Sequence, residues 1–363
     1  MSACFYTKIG SYSEEDVKFL LKDLSDIQLE GSAESREKRI QSGEHYSETL
    51  PIEYHPPREY LELFHDTLHD YKAIVAHHVG IVAEQIYRNK GKETILVSLA
   101  RAGTPVGILI RRYLHWKYKI SLPHYSISII RGRGLDFNAI EYINRQHPDG
   151  KIQFIDGWTG KGAISMELTK SCETFREKYG IELDDTLAVL ADPGHCTDLF
   201  GTRDDFLIPS ACLNSTVSGL VSRTVLNRNY IGPHDFHGAK YYKELEEADL
   251  SNQFLDIITE QFSNIQEEDL PANTKSVTFS GLETVRRIMS EFEINDINFV
   301  KPGVGETTRV LLRRIPWKIL VKDINSPYLK HILMLCKERK IEVHVYPNME
   351  YSCCGLIKNV GEA

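Results

Sequence analysis

The residues best suited to chemistry lie in 151–164, KIQFIDGWTGKGAI. An apolar strand (Ile152–Ile155) delivers one acid, Asp156, into a tight loop that runs into a helix. Gly157, Gly160 and Gly162 would let backbone N–H groups approach phosphate oxygens closely, and a helix start adds partial positive charge. Thr159 and Lys161 add a hydroxyl and an ammonium to the same loop. Asp156 could hold a ribose hydroxyl or a hydrated magnesium ion, the one cofactor this pattern implies. Together these residues suit a phosphorylated ligand, a nucleotide or sugar phosphate.

Two more loops follow strands in the same way. In SLARAGTP (98–105), Gly103 and Pro105 shape a turn, Ser98 and Thr104 flank it, and Arg101 can pair bidentately with phosphate. In RGRG (131–134), Arg131 and Arg133 sit on a flexible hinge suited to closing over an anion. The hydroxyl-rich run 215–224 reads as a helix whose Ser218 and Arg223 would line the anion site; its hydroxyls could instead back-bond to the helix. His237, in FHGAK, is a further candidate for touching substrate. His195, His234 and His237 follow no zinc spacing. A cysteine hydrolase would place its thiol at Cys196, beside His195, or at Cys212, in an apolar run; neither carries a nucleophile signature.

These loops need a scaffold. Pro56-Pro57 opens a helical pattern through about Arg88, with Leu61, Phe64, Leu68, Tyr71 and Val75 at helical spacing. From residue 93 short apolar strands (TILVSL, YSISII, IQFI, TLAVL) alternate with helices, which predicts a mostly parallel sheet with ligand loops at its carboxyl edge. Residues 1–50 read as a helical arm, with Ser13 capping a helix over Val17–Leu24 and a second helix near Ser35–Ile40. Residues 51–264 form the main domain, 192–245 being irregular. The acidic, Pro-containing segment 265–273 is the expected linker, and a second α/β domain occupies 274–363.

At 363 residues the chain can bury two cores, and its 42% apolar, 26% charged composition is that of a globular protein. No run approaches the ~18 apolar residues of a membrane span. Seven scattered cysteines without a CxxC fit free thiols in a reducing compartment, so a cytoplasmic protein is expected. Residues 272–363 carry 14 Lys+Arg against 10 Asp+Glu, a net of +4, while 1–271 carries 29 against 41, a net of −12. A basic tail on an acidic body permits contact with a polyanion. Self-association is compatible with all of this.

Residues 93–192 resemble the phosphoribosyltransferase fold. The resemblance implies that Arg101 and Gly103 grip pyrophosphate, that Arg131 and Arg133 lie in a mobile loop, and that Asp156, Thr159, Gly160, Lys161 and Gly162 bind the ribose phosphate. Arg101, Arg131, Arg133 and Asp156 would then be catalytic, with magnesium, stabilising charge as pyrophosphate leaves the sugar. The chain departs from that family in having Gly157 where a second acid is usual, and in a shorter acid-to-TG spacing, which leaves room for another ribose phosphate or nucleotide. The runs IQSGEHYSETLPIEY, FIDGWTGKGAI, IPSACLNSTVSGLVSRTVLN and DFHGAKYY resemble a bacterial group found with tellurite-resistance and stress operons. Its members are described as phosphoribosyltransferase-like, and some bear the label cysteine protease StiP. FVKPGVGETTRVLLRR (299–314) resembles the signature of the Pelota/L7Ae type of RNA-binding α/β sandwich. That implies Gly303 and Gly305 approach RNA, Glu306 and Thr307 bond base or ribose, and Lys301 and Arg309 contact phosphate. The expectation is thus a phosphoribosyltransferase-like enzyme coupled to RNA binding. A nucleotide-sensing regulator and a cysteine hydrolase are the alternatives.

Overall fold

The computed structural model describes residues 6–53, 55–266 and 276–358. Helix α1 spans Ala33–Gln41, with the Ser32 side chain accepting from the Ser35 N–H. Helix α2, Arg58–Lys90, runs 33 residues from the Pro pair to Gly91, whose positive φ of 69° ends it. At 1.5 Å per residue it is roughly 50 Å long. Its buried stripe, Tyr60, Phe64, Leu68, Val75, Val79, Val82 and Ile86, keeps helical spacing.

Six parallel strands form the main sheet in the spatial order Lys18–Phe19, His124–Ile127, Thr94–Leu99, Lys151–Trp158, Leu187–Ala191, Phe200–Thr202. Alternate residues serve opposite faces, as the two-residue strand period demands. Leu96, Ile155, Ala188 and Leu190 join α2, α3 (Gly103–Tyr118) and α6 (Ser251–Thr259) in one core. Ile95, Val97, Phe154, Leu187 and Val189 join α4 (Phe137–Gln146) and α5 (Ala163–Tyr179) in the other. Both faces are covered, which explains the unbroken apolar runs TILVSL and LAVLA.

Two expected helices do not form. Over Val17–Leu24 the chain is extended: Lys18–Phe19 makes the sheet edge and Lys22–Asp23 pairs with Gly238–Ala239. Phe19, Leu20, Leu21 and Leu24 are all buried, so the segment has apolar residues on every side and no helical stripe; tertiary pairing overrides the Ser13 start signal. The run 215–224 holds only a 3-10 turn, Ser215–Val217, because Gly219 and Leu220 both take positive φ. The expected linker lies, from residue 267 on, outside the described residues.

Helices α7 (Ser280–Glu291), α8 (Val304–Arg313) and α9 (Lys330–Arg339) flank a second sheet. Its order is Val300–Pro302, Cys353–Ile357, Pro316–Val321, Glu342–Val345, with Cys353–Ile357 antiparallel to both neighbours. Val304, Leu311, Ile319, Ile332 and Leu335 belong to the same buried cluster as α2 and α3. One side of the C-terminal unit therefore continues the main core, while Val285, Ile288, Val300, Leu320 and Leu356 form a cluster of its own. The whole is a mixed α/β fold, and no helix among the described residues is long and apolar enough to cross a membrane.

Candidate functional site

The carboxyl ends of the parallel strands meet the C-terminal unit face to face, and the Asp156–Gly162 loop is packed into that seam. The buried Lys161 ammonium donates to the carbonyls of Ile297 and Val300, the latter at 2.9 Å. Burial, with Arg131 nearby, pushes its pKa down to about 8. Thr159 donates to Asp192, and the Gly160 carbonyl accepts from Tyr351 Oη at 3.2 Å. A methyl added at Gly162 would lie 2.6 Å from the Phe279 ring. Among the described residues Asp156 accepts only from the Gly157 N–H, at 2.7 Å, and burial raises its pKa to about 6. Among the described residues no three His, Cys, Asp or Glu side chains group as a cation site would require.

The other expected site residues are largely engaged within the protein. Arg101 turns to Glu53 at 3.3 Å, the Val221 carbonyl at 2.9 Å and Asn214 Oδ1 at 3.4 Å, not to the Asp156 loop. Gly103 is glycine because its Cα abuts the Ile155 carbonyl; a methyl there would sit at 2.3 Å. Ser98 donates to the Gly103 carbonyl and bonds His124, Thr104 bonds Ser126, and Ser218 donates to the Asn214 carbonyl. His237 bonds Ser128 through Nδ1, and its N–H donates to Asp136. Arg133 donates to Glu48 and the Leu226 carbonyl. Arg131 lies over the Tyr46 ring, and Arg223 lies on the same ring while donating to the carbonyls of Tyr46 and Thr49.

The residues read as RNA contacts also line the seam. Gly305 meets the Trp158 indole so closely that a methyl would sit 2.1 Å from it, and Arg309 stacks on that indole at 4.6 Å. Glu306 pairs with Arg309 at 2.7 Å; burial would raise its carboxyl, but Arg309 and Lys301 hold it below the usual range. Thr307 is buried and donates to the Lys301 carbonyl, and Gly303 takes a positive φ of 91°.

Beside the loop stands Asp192-Pro-Gly-His195-Cys196-Thr197, at the end of the Leu187–Ala191 strand. The Asp192 carboxylate is fully buried and gathers Thr159, Arg203 and the N–H groups of Cys196 and Thr197. The Cys196 thiol contacts the Gly160 carbonyl at 3.6 Å, and a methyl on Gly162 would lie 3.2 Å from its sulfur. Cys196 therefore sits at the N-terminal end of α5. Burial and the Asp192 carboxylate push its thiol up to about 12. Every described cysteine is buried. Cys172, on α5, and Cys212, in the core, are also pushed up to about 12 by burial.

Residues 10–259 match the family described as tellurite-like stress resistance cysteine protease StiP. Residues 279–359 match the Pelota RNA-binding domain. A protein of Acinetobacter baylyi named cysteine protease StiP is 34% identical over 368 residues, covering 97% of this chain and 95% of its own length. The chain belongs to the StiP family.

That membership corrects the expected activity. The family and its Acinetobacter member are named as cysteine proteases, not as phosphoribosyltransferases. The loop read as the ribose-phosphate cradle is engaged within the protein. Gly162 packs closely against Phe279 of the Pelota-matching unit, and Lys161 and Arg101 are engaged by carbonyls and Glu53. Sequence reasoning missed Asp192, Asn214, Asp205 and the Arg314–Glu37 pair. The partners of Asn214, Asp205 and Glu37 lie about a hundred or more positions away in the chain, so no local spacing marks those three.

Proposed function

We propose that the chain is a cysteine-dependent hydrolase of proteins with Cys196 as its nucleophile. The observation that carries this is positional. Of the three cysteines within the StiP-matching residues (Cys172, Cys196, Cys212), Cys196 is the one in a loop at the carboxyl edge of the parallel sheet, beside the start of a 17-residue helix. A helix N-terminus favours a thiolate and the oxyanion that forms when sulfur attacks an amide carbonyl. His195, the preceding residue, is the candidate base: it would take the thiol proton and return it to the departing amine, leaving an acyl-enzyme for water to hydrolyse. With Tyr351 and Phe279 packed at the same loop, burial prevails and the thiol stays protonated.

Cleavage of denatured casein by the full chain tests this. Cys196→Ser should abolish turnover, and Cys212→Ser should leave it within a few-fold of wild type. Activity surviving in Cys196→Ser, or lost only in Cys212→Ser, excludes Cys196.

A second role rests on the Pelota match: the C-terminal unit binds RNA, with Lys301 and Arg309 on phosphate. Because both residues face the seam, RNA engaged this way competes with docking onto Trp158. Lys301→Ala and Arg309→Ala should each weaken RNA retention in a gel-shift assay, uniformly across sequences. Unaltered retention in both moves the interface elsewhere on the unit.

A further inference from the structure

Five arginines from five separate parts of the chain converge beside the seam: Arg36 on α1, Arg101 after the Thr94–Leu99 strand, Arg131 in the RGRG turn, Arg223 in the irregular segment and Arg313 at the end of α8. Their geometry ties them together. Arg101 and Arg313 both donate to one oxygen, Asn214 Oδ1. Arg131 and Arg223 both lie on the Tyr46 ring, 5.6 and 5.1 Å from its centre. Arg36 and Arg223 both reach Thr49, one at its hydroxyl and one at its carbonyl.

The cluster is short of negative charge. Arg101 pairs with Glu53, but among the described residues no carboxylate is within ion-pair distance of Arg36, Arg131, Arg223 or Arg313. The neighbouring Arg314 and Glu37 neutralise each other. Neutral oxygens hold the guanidiniums of Arg36, Arg223 and Arg313, and two buried N–H groups, Arg36 Nη2 and Arg223 Nε, meet no acceptor among the described residues. In a chain of net charge −8, five guanidinium groups that outnumber the carboxylates near them (Glu53, Glu37, Glu44) repel one another and leave donors unmet. The cost is removed by a compact polyanion with many acceptor oxygens. The planar donor fork of arginine matches phosphate in this way.

We propose that this cluster is a binding site for a phosphate-bearing anion, shared between the body and the C-terminal unit. Burial and mutual repulsion push the guanidiniums of Arg223 and Arg313 down from their ordinary range, as a site awaiting an anion requires. The inference does not rest on Cys196 or on peptide hydrolysis, since none of its residues touches that loop. The phosphate could belong to a small phosphoester or to an RNA backbone, and the arms of the test separate these.

Full-length protein in about 150 mM salt is titrated calorimetrically with inorganic tripolyphosphate and, separately, with a short single-stranded RNA; unfolding temperatures are recorded in parallel. At least one should bind and raise the unfolding temperature. Tripolyphosphate alone identifies a small phosphoester site, RNA alone a backbone site. Arg131→Gln and Arg313→Gln should each weaken binding at least tenfold, whereas Lys337→Gln, exposed on α9, should not. The unliganded Arg36→Met protein should unfold no earlier than wild type, because it loses a repelling charge. If neither anion binds the wild-type protein, or Lys337→Gln weakens binding as much as the cluster variants, the site does not exist.

Discussion

Asp156 illustrates how a single side chain can carry a site-like signature for another reason. It ends a buried strand, as an acid holding a ligand would, yet its bonded partner is the next residue's N–H. Its folded pKa, raised to about 6 by burial, exceeds the ordinary carboxyl value, so the folded state binds the proton more tightly. Its contribution to stability is complete below the unfolded value and is lost as pH rises through about 6. Asp156→Asn should therefore stabilise the protein at pH 7 by about 1–3 kcal/mol and flatten the pH dependence between about 4 and 6. Denaturant unfolding at pH 4, 5, 6 and 7 checks it; a variant weaker than wild type at pH 7 contradicts the assignment. Cys196 makes the opposite point. In the sequence only the adjacent His195 marks it, because its position by the start of α5 and the Asp192 bonds to its loop exist only in the folded chain. Phe279→Ala should speed its iodoacetamide labelling at pH 7 at least several-fold, as read by peptide mass mapping.

At the level of elements, periodicity was a reliable guide where an element presents a single face or is wholly buried. The stripe of α2 and the apolar runs Thr94–Leu99 and Leu187–Ala191 are of this kind. It failed over Val17–Leu24, where long-range pairing decides, and over 215–224, where two positive-φ residues break the helix. Helix α8 shows a dependence that no local signal announces. Its own cap, Gly303, offers no side chain, and the first N–H, on Val304, is instead satisfied by Asp205 from the body at 2.9 Å. The other Asp205 oxygen takes the Ser352 N–H at 2.7 Å. Removing both acceptors in Asp205→Ala should cost about 2–4 kcal/mol, a lost cap plus an unmet buried N–H. Gly305→Ala, which would drive a methyl into the Trp158 indole, should cost at least about 2 kcal/mol unless the helix lifts away. Thermal or denaturant melts measure both, and losses under about 0.5 kcal/mol in each would mean that α8 is not held by the body.

For the molecule as a whole, the two family matches fall on separate stretches, 10–259 and 279–359, yet one buried cluster holds apolar residues of both. Helix α2 reaches both: it packs along the sheet, and Tyr71 meets Tyr328 at 5.7 Å beside α9. The wild-type protein should thus unfold in one calorimetric transition, and Asp205→Ala should separate it into two. Two transitions in the wild type would show the units to be energetically independent. The order of strands and helices was readable in the chain, but the joining of the units was not, since it rests on contacts such as Lys161 to Ile297 and Asp205 to Val304.

Trp158 gives this seam an optical signature. Of the three tryptophans, Trp116 and Trp317 are about 40% exposed, at 40% and 39%, and should emit much as indole does in water. Trp158 instead lies between the Gly305 backbone and a guanidinium 4.6 Å from its ring. Undocking would transfer this one chromophore from a half-buried, cation-faced slot to solvent, reddening its emission. In a Trp116→Phe, Trp317→Phe background the spectrum alone would then follow opening in real time, without a label.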